Sequence, residues 1–208
     1  MKYIFISGAP GSRWSSVCKS IYYSPDIDRS DASQVREFYH DITGEMTLMH
    51  MGAYWGPGME FGTWFDRLDS YSKEQCEAEF DAPFSGTGVR IVKSHVFAYH
   101  IDYIKKTWPD CPIIVINRNE DACLGLWIKC GGFDITYPKY NEYYKDIKRM
   151  SKYIRQETSF NSKAVKEWPS QKVITSLQLS RLLKIQDSPK QYFQNYTWHD
   201  YGIEVSVI

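Results

Sequence analysis

Three short stretches of this 208-residue chain carry side chains that could hold an anion and move a proton. The first is Gly8-Ala9-Pro10-Gly11-Ser12-Arg13-Trp14-Ser15-Ser16. Its glycines allow the backbone to approach a ligand closely. Its end opens a helix, where free amides and the helix dipole attract phosphate. The second is Lys93-Ser94-His95. Neutral imidazole can take a proton from a hydroxyl, and an ammonium can neutralise charge on a departing oxygen. The third is Arg118, which could fork onto a phosphate or pair with Glu120 or Asp121.

Against the nucleotide-hydrolase pattern GxxxxGK[ST], Gly8 and Ser15 fit, but Arg13 stands at the second Gly and Trp14 at the essential Lys. The loop therefore reads as phosphate-binding but poorly suited to triphosphate hydrolysis. A Gly/Pro turn that merely caps a helix is the alternative. The five histidines (His40, His50, His95, His100, His199) form no metal-ligand pattern.

These residues need elements to position them. Tyr3-Ile4-Phe5-Ile6-Ser7 is a continuous apolar run, as in a strand buried on both faces, and a helix over 14–23 follows the loop. Strands are expected at 89–93, 112–117 and 172–175, with helices at 73–80, 98–107 and 120–129 and another from Asn141. In that last helix Tyr143, Ile147, Met150 and Ile154 are spaced to share one face. Alternation puts Lys93 and His95 on one side of their strand. The carboxyl end reads as helix plus coil.

The expected fold is α/β, a single three-layer domain over 1–208. Its central sheet is parallel, with about four to five strands and helices on both faces. In such sheets ligands bind at the carboxyl ends of strands, which is where all three stretches fall. Residues 24–70 lack periodicity and read as a lid or acceptor-binding insertion. Tyr54, Trp55, Met59, Phe61 and Trp64 within it suit either an acceptor wall or core packing.

Composition narrows the class. The chain is 43% hydrophobic and 16% aromatic, which excludes disorder, and its 25 basic residues balance 25 acidic ones. No basic block argues for nucleic acid or a membrane surface. The five cysteines are scattered without a CxxC pair, so a reducing, cytoplasmic setting is expected.

Three features, taken in order, resemble the sulfotransferase superfamily that uses 3′-phosphoadenosine-5′-phosphosulfate. They are the strand–loop–helix ending in Ser15-Ser16, the strand end Val92-Lys93-Ser94-His95, similar to Lys-Thr-His, and Ile114-Val115-Ile116-Asn117-Arg118-Asn119-x-Asp121, similar to Arg-Asn-Pro-x-Asp. The resemblance runs over residues 1–130, with 24–70 unaligned.

It implies a P-loop-like fold and sulfuryl transfer to a small-molecule, glycan or peptide acceptor, without a metal and with 3′,5′-adenosine bisphosphate as product. Gly11, Ser12, Arg13, Trp14, Ser15 and Ser16 would hold the 5′-phosphosulfate, and Arg118 the 3′-phosphate. His95 would be the general base, with Lys93 at the bridging oxygen. The chain departs from the family at Trp14, usually Gly, at Glu120, usually Pro, and near Gly125 or Leu126, where a second 3′-phosphate contact is usually Ser. A kinase on the same type of loop, or a nucleotide-binding module without catalysis, are the competing readings.

Overall fold

A computed structural model describes residues 1–31, 39–41, 46–48, 52–56, 67–134, 140–189 and 197–208. In chain order the elements are β1 (Tyr3–Gly8), α1 (Trp14–Tyr22), β2 (Tyr39–Asp41), β3 (Met46–Leu48), β4 (Ala53–Tyr54), α2 (Lys73–Asp81), β5 (Arg90–Lys93) and α3 (Ile101–Thr107). They continue with β6 (Ile113–Arg118), α4 (Glu120–Lys129), α5 (Tyr140–Tyr144), α6 (Ile147–Glu167), β7 (Gln171–Val173), α7 (Ser176–Leu183) and β8 (Ile203–Val207). β2 and β3 pair with each other, apart from the main sheet.

The main sheet has six strands in the order β4-β5-β1-β6-β8-β7. β4, β5, β1 and β6 run parallel. β8 is antiparallel to both its neighbours, so the sheet is mixed and not wholly parallel, and larger than expected. Residues 203–207 belong to it because Ile203, Val205 and Val207 are buried while Glu204 is exposed, a period-two pattern that suits a strand and not coil. The edge strand β7 is short and exposes Gln171 and Lys172, which discourages further pairing.

β1 is buried along its whole length. Ile4 and Ile6 enter one apolar cluster with α1, α7 and β8. Tyr3 and Phe5 enter another with Phe80 of α2 and Phe97 and Ile104 near α3. Burial on both sides explains its unbroken apolar sequence.

Local chemistry sets the helix limits. Ser72 and Gln75 close a reciprocal capping box before α2, with bonds of 2.9 and 3.3 Å. Asn119 caps α4 by accepting from the Ala122 amide at 3.1 Å. The helix expected from 98 starts as a 3-10 turn over Val96–Tyr99, and α3 begins only after His100.

The helix expected from Asn141 is likewise broken. Lys145 turns left-handed (φ 54°), and Asp146 then caps α6 through the Arg149 amide at 2.8 Å. The break leaves Ile147 exposed, whereas the inward stripe of α6 is Met150, Ile154, Glu157, Asn161 and Ala164.

Candidate functional site

The loop after β1 is shaped by a backbone contact. Gly11 has φ +77°, and a methyl group there would stand 1.9 Å from the Cys123 carbonyl oxygen of α4. Only glycine satisfies both the dihedral and the space. Arg118 fixes the same junction from β6, since its Nη1 donates to the carbonyls of Gly11 and Ala122, both at 3.1 Å. Glu120 meanwhile pairs with Arg155 of α6 and leaves Arg118 alone.

Arg13, the last residue before α1, is left-handed as well (φ 66°), and no side chain caps the helix. A non-glycine residue in that conformation is strained, and such strain collects at binding sites. The Arg13 guanidinium lies over the Tyr201 ring at 5.9 Å, with its Nε buried and without a hydrogen-bond partner.

Lys93 and His95 converge on Trp14, although strand alternation is not the cause. β5 ends at Lys93, and His95 already has helical dihedrals as the residue before the 3-10 turn. Lys93 pairs in register with Ile6 and Tyr54 and passes beneath α1, its Nζ 5.6 Å from the Trp14 ring centre. The His95 ring stacks on Trp14 at 4.0 Å and 23° and meets Tyr54 edge-on at 5.7 Å.

The His95 Nδ1 lies 2.6 Å from the Gly8 carbonyl oxygen. A carbonyl only accepts, so Nδ1 carries the hydrogen and Nε2 keeps the lone pair. Burial, opposed by the Gly8 bond and reinforced by Lys93, pushes the imidazole pKa down to about 3. The ring is therefore neutral, as a base must be.

Lys93 is fully buried, and its Nζ has no hydrogen-bond partner. Burial lowers its pKa, while the Cys18 thiol and Asp31 act against that. Asp31 itself accepts from the Tyr22 hydroxyl at 3.2 Å. Burial raises the Asp31 carboxyl to about 6. The Ser12 hydroxyl and the Arg118 Nε are buried without partners too. Among the described residues no ion pair neutralises Lys93, Arg13 or Arg118.

The structure thus brings Gly11, Ser12, Arg13, Trp14, Lys93, His95 and Arg118 to the carboxyl ends of β1, β5 and β6. Ser15 and Ser16 sit half-buried in the first turn of α1. Of the aromatic residues expected at an acceptor wall, Tyr54 and Trp55 are buried at β4 and just after it. Met59, Phe61 and Trp64 lie outside the described residues.

Sequence reasoning missed Tyr201, which the 3-10 turn before β8 brings to Arg13, and the link from Ser7 to Asn161 at 2.7 Å. The alternation of Ile203-Glu204-Val205-Ser206-Val207 was the available signal for the first. A concavity of about 1170 Å³ opens at the opposite, amino end of the strands, around Cys111, Pro112 and Ile208. It gathers none of the orphaned cations, so the chemistry points to the carboxyl end.

Among the described residues no helix is long and apolar enough to cross a membrane. Comparison with protein-family models, with curated proteins and with solved structures finds no match to this chain.

Two outcomes test this geometry. Gly11→Ala should cost at least about 2 kcal/mol in urea unfolding, whereas Arg13→Gly should stay within about 1 kcal/mol of the parent. For His95, the unfolded chain binds a proton near pH 6.5 and the fold only near 3. Its contribution is complete above pH 6.5, falls by about 1.4 kcal/mol per unit below that, and levels off near pH 3. Between pH 6.5 and 4.5 the parent should therefore lose about 2–3 kcal/mol more than His95→Gln, measured by urea unfolding.

Proposed function

We propose that this chain is a sulfotransferase that takes its sulfuryl group from 3′-phosphoadenosine-5′-phosphosulfate, on a P-loop-like variant of the α/β fold. The observation that carries the reading is the group of buried, unneutralised donors around one helix start: Lys93 Nζ, Ser12 Oγ, Arg13 Nε and Arg118 Nε. Unpaired buried cations are expensive, and an anionic ligand offsets that cost. The residue types fit the donor, since amides, hydroxyls and fixed cations suit a phosphosulfate.

Ser12, Ser15, Ser16 and the amides at the start of α1 hold the 5′-phosphosulfate, which supplies an electrophilic sulfur. Arg13, in the same loop, stands toward the 5′-phosphosulfate, and Arg118 toward the 3′-phosphate. His95, with its lone pair on Nε2, removes the proton of the acceptor hydroxyl or amine as the acceptor's O or N bonds to sulfur. Lys93, charged once an anion lies beside it, stabilises the bridging oxygen as the sulfur–oxygen bond breaks and its electron pair stays with the phosphate. Trp14 fills the space beside both residues, so a bound donor displaces its indole.

Thermal unfolding with ligands tests this. At about 100 times its dissociation constant, 3′,5′-adenosine bisphosphate should stabilise the fold by about 2.7 kcal/mol, without Mg²⁺. Lys93→Met should weaken that binding about 10- to 100-fold, the range for a charged hydrogen bond. His95→Ala should retain it but lose transfer of labelled sulfate from donor to acceptor. No shift with the bisphosphate, or a larger one with Mg²⁺ and ATP, overturns the reading.

A second test uses Gly125, where a side chain would meet open space. Gly125→Ser introduces the hydroxyl that the sulfotransferase superfamily places near the matching position. It should raise stability by about 0.5 kcal/mol through helix propensity and tighten bisphosphate binding about two- to tenfold. Unchanged affinity would remove Gly125 from the 3′-phosphate site.

A further inference from the structure

The inward stripe of α6 contains two polar residues where an apolar pair would pack without cost. Glu157 is fully buried, and neither carboxyl oxygen has a hydrogen-bond partner. Asn161, one turn on, is equally buried. Its Oδ1 accepts from Ser7, while its Nδ2 has no partner. A buried carboxyl without partners is costly in any protonation state. Packing alone gives no reason for it.

The surroundings are aromatic. Glu157 lies within electrostatic range of the hydroxyls of Tyr99 and Tyr144, and both hydroxyls are buried without partners. Tyr144 packs against Tyr143 at 4.9 Å and Tyr153 at 5.8 Å, and those two stack at 4.5 Å. A carboxyl among several tyrosine rings is the usual chemistry of an organic-cation site, where the counter-charge and the ring faces act together.

The cluster also adjoins the proposed transfer centre. Ser7, which bonds Asn161, precedes Gly8, whose carbonyl takes the His95 hydrogen. Tyr54 touches the His95 ring and interacts electrostatically with Tyr144. From outside, a concavity of about 90 Å³ between the 3-10 turn and α6 reaches Tyr99.

We propose that Glu157, with Asn161 and the rings of Tyr99, Tyr143, Tyr144 and Tyr153, binds a protonated amine of the acceptor, so that the substrate class is a hydroxylated amine. The role as acceptor pocket rests on the transfer reaction proposed above. The ammonium is the anchor and cannot be the nucleophile. A hydroxyl elsewhere on the same molecule faces His95 and receives the sulfuryl group. Without a ligand, burial holds the Glu157 carboxyl well above its usual range, as a neutral acid. As the ammonium arrives, the carboxyl releases that proton to solvent and the ammonium replaces it as counter-charge.

Thermal unfolding with matched pairs at millimolar concentration tests the proposal: 2-aminoethanol against ethylene glycol, and glucosamine against glucose, with and without 3′,5′-adenosine bisphosphate. The aminated member of each pair should stabilise the protein more. Glu157→Gln, isosteric with the neutral acid and so expected to fold, should erase that difference and keep the bisphosphate shift. Tyr144→Phe gives an independent readout, weakening the amine about two- to tenfold for one lost hydrogen bond. Equal shifts within each pair, no shift from either member, or a difference that persists in Glu157→Gln overturns the proposal. Loss of the bisphosphate shift with amine discrimination intact would instead remove the donor reading and leave an amine site.

Discussion

A lysine amino group enclosed in the fold without a hydrogen-bond acceptor is the constraint around which this molecule is arranged. Lys93 does not reach water, because its side chain leaves a sheet face that Trp14 of α1 covers. Its side chain runs under α1, against Trp14 and toward Cys18 and Asp31. Moving an ammonium out of water costs several kcal/mol, and Asp31, bonded to Tyr22, compensates only through space. The missing acceptor is the main physical argument for an anion at this place.

The surrounding elements have roles relative to that charge. Gly11 lets the loop lie on the backbone of α4, and Arg118 ties the two together through the carbonyls of Gly11 and Ala122. The Gly8 carbonyl leaves His95 with a defined tautomer. Trp14, the residue that most clearly departs from a nucleotide-hydrolase loop, is the common surface for Lys93 and His95. β8 closes the far side by returning antiparallel beside β6, and the 3-10 turn that leads into it brings Tyr201 to Arg13. The site thus draws on both ends of the chain through one sheet.

Much of this was legible in the sequence where a local rule decides structure. The continuous apolar runs at 3–7 and 113–116 specify strands buried on both faces, and the Ser72/Gln75 pair specifies a helix start. Long-range decisions were not legible. The direction of β8 depends on how the chain returns after α7, which no local pattern encodes. The pairing of Ser7 with Asn161 joins residues 154 positions apart. The break before α6 hinges on the left-handed Lys145, a conformation that lysine does not advertise. Lys93 and His95 do meet, yet because His95 turns helical beyond the strand end and not because strand residues alternate.

The central claim, that the enclosed cation cluster is an anion site for a nucleotide donor, is tested most directly by a crystal structure with 3′,5′-adenosine bisphosphate bound. The account predicts the 5′-phosphate within hydrogen-bond distance of Lys93 Nζ and Ser12 Oγ, the 3′-phosphate on Arg118, and the Trp14 indole displaced from His95. A bisphosphate bound elsewhere, with Trp14 still stacked on His95 and Lys93 still without an acceptor, would contradict it.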